Sequence, residues 1–501
     1  MSTIEFIVTN FRFVRDSGYK AFTAILSKCH REDVDICHEA LEGEISNKIG
    51  SDKEEFLAPI CKHVKVICEH LSSGLEDNWA IVRLSSTLAT KEFFYCCPKL
   101  ELEQFYTVLL PKLCLNRYFP AEGVKLQSQK AWKEICGDKG RSLLSNQISG
   151  TVQYYVAAAQ AENHAVREAA CHCMGELAMK LDKDVVLPYL PTLIDQCSVS
   201  VQDQVWPVRD VASLTASLII KCFPDQCQDK SQYFLGVFLK NMKDSVPSVR
   251  QGAALSLANM VSAYGESVLS TIISHIKDGF KGVKDQTSDS DLNKSKNESD
   301  NSLLKTSMMN KGDLGGCTEA AGVKTTSQPW EVAEGCVLAL AELSKQKDLQ
   351  IQVSQLLPDM FDSCHYKHYP AHLSYCTTCV NKFSQIISSM DKKYFKPFLE
   401  FDVIFYCIDS DNNNARIAGE DCLRVLSKIL GPNILRGRVE NSKPNMLSTH
   451  DRVMSGVSFP KMSQNVSNPS VPSFRPPQSQ VLPIPSRGTN SFSTLGGTPP
   501  T

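Results

Sequence analysis

The sequence predicts an all-α fold, a right-handed α-solenoid of stacked antiparallel helix pairs with a disordered insertion and a disordered C-terminal tail. One observation is that three segments share a Val-Arg pair followed by small and apolar residues at helical spacing: 163–178, 205–220 and 246–261. Another is the fixed spacing of their arginines, because Arg167 lies 42 residues before Arg209, which lies 41 residues before Arg250. A period of about 40 residues is typical of stacked helical arrays.

The composition limits the class of protein. The chain has 501 residues, of which 42% are hydrophobic, so most of it can bury a core. The formal net charge of −2 gives no electrostatic support for nucleic acid as the main partner. The 20 cysteines are scattered through helical patterns, which predicts reduced thiols in a cytoplasmic protein, with the nucleus as the alternative compartment. We find no signal peptide, no lipidation motif and no apolar run of about 18 residues, so we expect no membrane insertion.

The N-terminal residues 1–52 are predicted to form a divergent helical pair or cap. Helical patterns cover roughly 4–28 and 32–49. The Phe13-Val14-Arg15 segment resembles the repeated pair but lies out of phase with it. A divergent end unit is expected because a solenoid must present one polar outer face.

The phase becomes regular from residue 53 onward. The anchor positions that open the second helix of each repeat are Arg83, Lys125, Arg167, Arg209, Arg250, Ala333, His372 and Arg416. These anchors define eight repeats, in a first block over 53–280 and a second block over 329–430. The step from Arg250 to Ala333 is 83 residues, which predicts one repeat that carries a long insertion.

Each unit is predicted to consist of two helices, and the first of them often contains a proline. The prolines are Pro59, Pro111, Pro188, Pro358 and Pro397. An interior proline removes one backbone hydrogen bond and kinks the helix. The second helix continues from its anchor with small residues such as Ala169 and Ala253, which let neighbouring helices approach closely. A single unit exposes its apolar face, and stacking buries that face.

The pattern resembles the HEAT repeat, in which a proline-containing helix and a turn with an aspartate precede a Val-Arg pair. The resemblance covers residues 53–430 and implies a ladder of aspartate–arginine bonds between neighbouring repeats. The positions that match are Asp77 and Arg83, Asp203 and Arg209, and Asp244 and Arg250. Other units depart from the pattern, because Phe119 and Ala161 replace the aspartate and Ala333 and His372 replace the arginine. The resemblance implies a fold and no particular function, since HEAT arrays serve many unrelated roles.

Two segments fall outside the repeat pattern. Residues 281–328 are polar, carry no net charge, and are predicted to form a disordered insertion between the two helices of one repeat. Its serines are candidate phosphorylation sites, although a solvated loop without a specific role explains the composition equally well. Residues 431–501 are predicted to form a disordered Pro/Ser-rich tail, and the charge over 432–501 is +5. Pro469, Pro472 and Arg475 in this tail are a weak match to an SH3-type ligand.

A cluster of cysteines and histidines at 364–379 allows two interpretations. Its members are Cys364, His365, His368, His372, Cys376 and Cys379. Two of these cysteines and two upstream residues would satisfy tetrahedral zinc. The repeat phase instead places His372, Cys376 and Cys379 on one helix face, where cysteine behaves as a small buried hydrophobe. We favour core packing, and we predict core packing also for Cys171 and Cys173, whose side chains point to different helix faces.

Three tryptophans open second helices, at Trp79, Trp206 and Trp330. One interpretation is a contact ridge along the edge of the solenoid, a placement that resembles the tubulin-binding TOG subgroup of HEAT arrays. Tubulin is acidic, whereas the turns SSGLEDN, VSVQDQ and IDSDNNN are neutral to acidic, which argues against tubulin. The favoured interpretation is that each ring fastens its own turn to the core.

The sequence contains no enzyme signature such as GxxxxGK[ST], HExxH, GxSxG or a GxGxxG after a strand. It therefore predicts no catalytic, cofactor-binding or metal-binding residue. We expect a non-enzymatic protein-binding scaffold or adaptor, in which a partner protein lies on a concave face lined by the second helices. The alternatives are a tubulin-binding array and a transport-receptor-like array. The latter should have acidic, Trp-Asn-rich inner helices, and only Trp132 lies in the middle of a predicted helix.

Overall fold

The structure of the protein, a computed structural model, consists of paired helices. It describes residues 9–40, 63–96, 105–287 and 327–456, and these ranges contain helices and turns but no strand. The predicted all-α class is therefore confirmed for the described part of the chain. In the same ranges no helix is both long enough and apolar enough to cross a membrane.

The helices follow one another through short turns. In chain order they are α1 (Arg12–Ala40), α2 (Val64–Leu75), α3 (Ala80–Cys96), α4 (Tyr106–Asn116), α5 (Glu122–Cys136), α6 (Gly140–Ser145), α7 (Ile148–Ala158), α8 (His164–Lys180), α9 (Lys183–Val186), α10 (Leu190–Ser200), α11 (Trp206–Cys222), α12 (Ser231–Asn241), α13 (Pro247–Tyr264), α14 (Glu266–Gly282), α15 (Pro329–Leu343), α16 (Gln350–Ser363), α17 (His372–Ser389), α18 (Lys392–Phe395), α19 (Phe401–Ile408), α20 (Asn413–Leu430), α21 (Pro432–Ser442) and α22 (Leu447–Ser455).

Second helices of successive repeats lie side by side and form one layer. In this layer α1 packs against α3 and α3 against α5, and a further row runs through α8, α11, α13, α15, α17 and α20. The first helices α2, α4, α7 and α10 pack on one another in a second layer. Small side chains allow the close packing, because Ala169, Ala212 and Ala253 on three adjacent second helices are almost completely buried. The predicted stack of helix pairs, of the HEAT type, is confirmed.

The prolines act in two different ways. Pro111 and Pro358 lie inside α4 and α16, as expected. Pro188 and Pro397 instead lie in short 3-10 turns that separate α9 from α10 and α18 from α19, so at these positions the first helix is divided rather than kinked. The physical reason is that proline fits the first positions of a helical turn, where its missing N–H group has no partner to lose. Pro59 lies outside the described residues.

The N-terminal helix differs from its prediction. We expected a break between 28 and 32, whereas α1 continues without interruption from Arg12 to Ala40. The intervening residues contain neither proline nor glycine, so nothing in the sequence ends the helix there. Residues 41–62, which include the end of the predicted cap, lie outside the described part of the chain.

The predicted tail begins too early. Residues 432–455, which we assigned to a disordered segment, form α21 and α22. Leu435 and Val439, four residues apart on α21, and Val453 on α22 are buried, so the segment has enough apolar surface to pack. Residues 457–501, with the PxxP match at 469–472, lie outside the described residues.

The predicted insertion is described only at its two ends. Helix α14 extends to Gly282 and a 3-10 turn continues to Asp285, so the predicted boundary at 281 lies inside regular structure. The side-chain amide of Gln286 donates to the side chain of Gln328 at 2.9 Å, which brings the two ends together. Residues 288–326 lie outside the described residues, so the predictions of disorder and phosphorylation for them stay predictions.

Among the described residues, the hydrophobic core consists of two clusters. The first extends from Tyr19 to Leu109 and the second from Cys114 to Val453, so the boundary falls within α4. The layer of second helices is interrupted at the same place, because α5 and α8 barely contact each other. Helix α8 packs against the first helix α4 instead.

Candidate functional site

The interruption between α5 and α8 results from the segment that joins α5 to α7. Helix α5 ends at Cys136, and Gly137 follows with a φ angle of 48°, in the left-handed region that favours glycine. The chain then forms the extra helix α6, which contacts both α4 and α5. Helices α13 and α20, by comparison, are each followed by the next helix after a single glycine. The extra helix therefore takes the place of direct packing between α5 and α8.

A cavity of about 420 Å³ lies at this interruption. It is lined by Arg117, Trp132, Gly137, Asp138, Gly140, Arg141, Leu144, Glu176, Leu177, Lys180 and Leu181. Its volume is in the range of small-ligand sites, and it is large enough to receive one or two side chains of a partner. Nothing in the constant 42-residue step between Lys125 and Arg167 signals this cavity.

Arg117 is the central charged residue of the cavity wall. Its guanidinium group donates to the Glu176 carboxylate at 2.5 Å and lies over the Trp132 ring, 4.5 Å from the centroid. Lys180 donates to the other oxygen of Glu176 at 2.7 Å. Burial raises the pKa of Glu176, but the Arg117 charge and the contacts with Lys180 outweigh burial and lower it. Glu176 is therefore a carboxylate with two basic partners.

The rim of the cavity carries an excess of positive charge. Arg141 is exposed and has no acidic partner among the described residues. With Glu176 neutralised by Arg117 and Lys180, the remaining acidic residue in the lining is Asp138. A Cβ atom at Gly140 would lie 3.0 Å from the Trp132 ring, so this glycine allows the chain to pass closely over the indole. The cavity thus combines an aromatic surface with free and paired cations, which suits an anionic or planar group.

Buried thiols lie behind this wall. Cys114, Cys136 and Cys173 are each at most 4% exposed. The guanidinium group of Arg117 donates to the Cys114 sulfur at 2.7 Å. Burial raises the pKa of Cys114, but contact with Cys173 and the charge of Arg117 lower it to about 7. The Arg117 side chain therefore links the thiol group to the cavity.

The sequence-predicted thiols on α8 are buried and face different neighbours. Cys171 lies beside α11, where its backbone carbonyl accepts a hydrogen bond from Thr215 at 2.8 Å, whereas Cys173 faces Cys114. His172, between them, stacks on Tyr118 with ring centroids 5.1 Å apart. Burial and the charge of Lys125 lower the pKa of His172 to about 4, so its ring is neutral.

The cluster at 364–379 is divided by the structure. Cys364, His372, Cys376 and Cys379 are buried, whereas His365 and His368 are exposed. His372 Nε2 lies 2.7 Å from the carbonyl oxygen of Cys364 and 3.4 Å from the Cys376 sulfur. No group of three or more cysteine, histidine or acidic side chains in the described ranges is arranged to hold a metal ion. Contacts with Cys364 and His372 lower the pKa of Cys376 to about 6.

The predicted ladder is present but follows different pairs. Each bond joins an arginine to an acidic residue of the next repeat: Arg15 to Asp77 at 2.8 Å, Arg167 to Asp203 at 2.7 Å, and Arg250 to Glu334. The out-of-phase Arg15 is therefore a member, although it lies outside the eight predicted repeats.

The other two matching arginines bond mainly to backbone groups. Arg83 and Arg209 donate to carbonyl groups of their own turns instead of to an acid of the next repeat. Asp244 accepts from the backbone N–H of Val246, the residue just before α13, at 2.8 Å. The expectation that all three matching aspartates pair with an arginine of a neighbouring repeat is thus met by two of them.

The three tryptophans differ in exposure. Trp330 is partly buried against the core and lies under Arg250, whose guanidinium carbon is 5.9 Å from the ring centroid. Trp206 is also partly buried. Trp79 is 49% exposed and is covered on one face by Arg12 at 3.8 Å. The fastening role therefore fits Trp330 best, while Trp79 contributes to the surface.

Sequence reasoning missed the cavity and the residues that build it. Trp132 was noted only for its position in a helix, and Arg117 and Glu176 were not singled out, because they are 59 residues apart. The signal that was available is the segment GDKG at 137–140, whose two glycines interrupt a helical pattern.

The helix pairs and the acid–arginine bonds define the class: a helical-repeat protein of the HEAT type. The chain is similar to yeast importin-β, Kap95p, with 13% identity, 90% of this chain and 49% of that chain covered, and a TM-score of 0.48. The structure of Kap95p with RanGDP is 14% identical to this chain, covers 89% of this chain and 49% of its own, and has a TM-score of 0.48. The karyopherin Kap121p, bound to the extreme C-terminus of the phosphatase Cdc14p, gives 13% identity, 89% and 43% coverage, and a TM-score of 0.45.

The chain spans about half the length of the importin-β structures that it matches. No protein-family model matches the sequence, and no curated protein does.

Proposed function

We propose that the protein is a non-enzymatic scaffold or adaptor that binds other proteins along its second helices. The observation that supports this proposal is a set of exposed apolar side chains on these helices. Leu126 on α5, Leu255 on α13 and Ile417 on α20 are 43%, 36% and 46% exposed. Leu126 and Ile417 directly follow the anchors Lys125 and Arg416. Leu255 lies four residues after the equivalent position, 251, and therefore on the same face of its helix. Apolar side chains repeated on one face of an array favour a protein partner.

The positions that directly follow the anchors are acidic in the central repeats. Glu168 and Asp210 directly follow the anchors of α8 and α11, and neither has a salt-bridge partner among the described residues. Burial and the neighbouring acids Asp244 and Glu168 raise the pKa of Asp210 to about 6. A cation from a partner would relieve this repulsion. The acidic pair therefore favours a second candidate, a transport-receptor-like array that binds a basic segment of its cargo.

A purification experiment with two matched variants tests the proposal. The first variant, L126D/L255D/I417D, places charges on the second helices. The control, V199D/I351D, does the same on the first helices α10 and α16, where the two side chains are 63% and 53% exposed. We expect the wild type and the control to retain the same reproducible partners in affinity purification with mass spectrometry, while the first variant loses them. Retention of those partners by the first variant, with a helical circular dichroism spectrum, would contradict the proposal.

For the cell compartment we propose the cytoplasm, with the nucleus as the alternative. The described cysteines are free thiols, which is typical of reducing compartments. Fluorescence microscopy of the tagged full chain tests this, and a signal confined to the secretory pathway would contradict it.

A further inference from the structure

The cavity at the interruption between α5 and α8 contains an aromatic hydrogen-bond donor that the fold does not use. Trp132 lines the cavity and is only partly buried. Its ring lies against the Arg117 guanidinium group, but its indole N–H donates to no described residue. Tryptophan side chains away from bulk solvent usually find a partner for this group. The cavity wall therefore offers a free donor beside an aromatic surface.

The charges around the cavity are unequal. Among the lining residues and their immediate neighbours in the chain, five are basic and three are acidic: Arg117, Lys133, Lys139, Arg141 and Lys180 against Asp138, Glu176 and Asp182. The two carboxylate oxygens of Glu176 are already bound, one by Arg117 and the other by Lys180. This acid therefore does not oppose an incoming anion. The charge around the cavity attracts an acidic ligand.

Cationic and apolar groups lie side by side in the cavity wall. Arg141 is exposed and directly follows Gly140, which passes so closely over the indole that an added Cβ atom would lie 3.0 Å from it. An unpaired guanidinium group is thus placed next to the aromatic ring. The apolar part of the wall consists of three buried leucines: Leu144, Leu177 and Leu181. Such a wall suits a ligand that carries an acidic group and an apolar group close together.

We propose that this cavity binds a short acidic peptide segment of a partner protein. A carboxylate of the segment pairs with Arg141, and an adjacent apolar or aromatic side chain packs against Trp132 and the leucines. The indole N–H donates to an oxygen of the same segment. The cavity volume of about 420 Å³ admits one or two side chains, so an extended segment enters rather than a folded domain.

Charge favours a partner over the remaining segments of this chain. Residues 457–501 contain three basic residues and no acidic one, so they do not complement the cavity. Residues 288–326 contain six acidic and five basic residues and are nearly balanced. The site goes beyond the proposed function, because Leu126, Leu255 and Ile417, the exposed side chains on which that function rests, do not line the cavity.

The test is a selection of phage-displayed heptapeptides on the full chain, with Arg141→Glu as the decoy. We expect the enriched peptides to combine Asp or Glu with an adjacent apolar or aromatic residue. A synthetic copy of the strongest peptide should bind Arg141→Glu about tenfold more weakly than the wild type. The control is Lys240→Glu, the same charge change at an exposed position on α12, and it should bind as the wild type does. Peptides without acidic residues, no enrichment over the decoy, or equal affinity for Arg141→Glu would overturn the proposal.

A steric variant separates the cavity from general attraction by surface charge. Gly140→Ala keeps every charge, and its backbone φ of −54° suits alanine, but the new Cβ forces the Trp132 ring to move. We expect it to bind the peptide several-fold more weakly. Gly150→Ala on α7, where a Cβ meets no atom within 4 Å, should bind as the wild type does. Unchanged binding by Gly140→Ala would show that the peptide does not enter the cavity.

Photo-crosslinking identifies the occupant. Lys139 is exposed beside the lining residues Asp138 and Gly140, so the photoreactive amino acid p-benzoylphenylalanine can replace it in the full chain. We expect irradiation to join this position to the selected peptide. A link to residues 288–326 of the same chain, or to a second copy of the chain, that the peptide does not displace would overturn the assignment to a partner. None of these measurements uses the variants of the second helices, so this site and the proposed function can fail separately.

Discussion

Arg83 fixes the turn between α2 and α3 although it is an arginine with only 1% of its surface exposed. Its guanidinium group donates to the carbonyl oxygens of Leu75, Glu76 and Asp77 at 2.8, 3.0 and 2.5 Å. It also donates to the Asn116 side chain of the next repeat at 2.6 Å. One buried side chain therefore provides hydrogen bonds to the free carbonyl groups at the end of a first helix and connects two repeats.

Removal of Arg83 should be far more damaging than removal of Arg209 at the equivalent anchor. Arg209 is partly exposed and donates only to the carbonyls of Asp203 and Gln204. We expect Arg83→Ala to lower the free energy of unfolding by about 3 kcal/mol, because buried acceptors lose their donor. For Arg209→Ala we expect about 1 kcal/mol, because water replaces the donor. Urea unfolding followed by circular dichroism measures both, and equal losses would contradict this account.

Asp210 should make the stability of the array depend on pH. Burial first, and then Asp244 and Glu168, raise its pKa to about 6 in the folded protein, above the unfolded value. The folded state thus favours the protonated form, so stability is lost as the pH rises from the unfolded pKa of about 4 to the folded pKa of about 6, and the loss is complete above it. We expect Asp210→Asn to stabilise the protein by about 2 kcal/mol at pH 7.5, and this gain to shrink as the pH falls toward 4.

The control for Asp210→Asn is Asp409→Asn, at an exposed position after α19. Thermal unfolding between pH 4.5 and 7.5 compares the two variants with the wild type. A gain for Asp210→Asn that is the same at both ends of this range would rule out the ionisation as its cause.

At the scale of helices, the sequence predicted the repeat well because each unit obeys a local rule. Anchors, small residues and prolines recur at one period, and each is visible in a single stretch of chain. The tail was misjudged because Leu435, Val439 and Val453 are few and widely spaced, and composition alone hid their alignment on two helix faces. The cavity could not be predicted, because it depends on α8 packing against α4. That contact joins residues far apart in sequence, and no periodic pattern encodes it.

Gly335 on α15 lies where an added side chain would collide with the backbone of the preceding repeat. A Cβ atom there would lie 2.0 Å from the backbone oxygen of Met242, which follows α12. We expect Gly335→Ala to destabilise the protein by about 3 kcal/mol, because a backbone atom cannot move aside as a flexible side chain can. The matched control is Gly236→Ala on α12, where an added Cβ meets no atom within 4 Å.

The control Gly236→Ala should stabilise by about 0.5–1 kcal/mol, since alanine has the higher helix propensity. Thermal unfolding of the two variants provides the comparison. A similar effect of both substitutions would show that helix propensity, and not the contact with Met242, dominates at position 335.

At the scale of the whole array, two hydrophobic clusters imply two regions that can open separately. In stacked repeats each unit contacts only its neighbours, so a local defect stays local unless the interfaces transmit it. The boundary within α4 is the place where transmission should be weakest. Core truncations on either side of it can measure this.

We expect Phe93→Ala, in the first cluster, to increase hydrogen exchange in α2 and α3 while α11 and α13 keep their protection. Phe238→Ala, in the second cluster, should have the reverse effect. Both side chains are fully buried, and each truncation should cost its region about 3–5 kcal/mol. Hydrogen-exchange mass spectrometry of the full chain reads both regions at once. Uniform loss of protection in either variant would show that the array unfolds as one cooperative unit.

The hydrogen bond between Gln286 and Gln328 has a practical consequence for protein engineering. The described residues that follow α14 and precede α15 touch each other here, and the backbone N–H of Trp330 also donates to the Gln286 side chain, at 3.2 Å. Any sequence placed between these residues begins and ends at nearly the same point, as in a cassette. A fluorescent reporter whose own termini are close together would therefore fit there without changing the register of the flanking repeats. The same junction offers new chain ends for a circular permutant of the array.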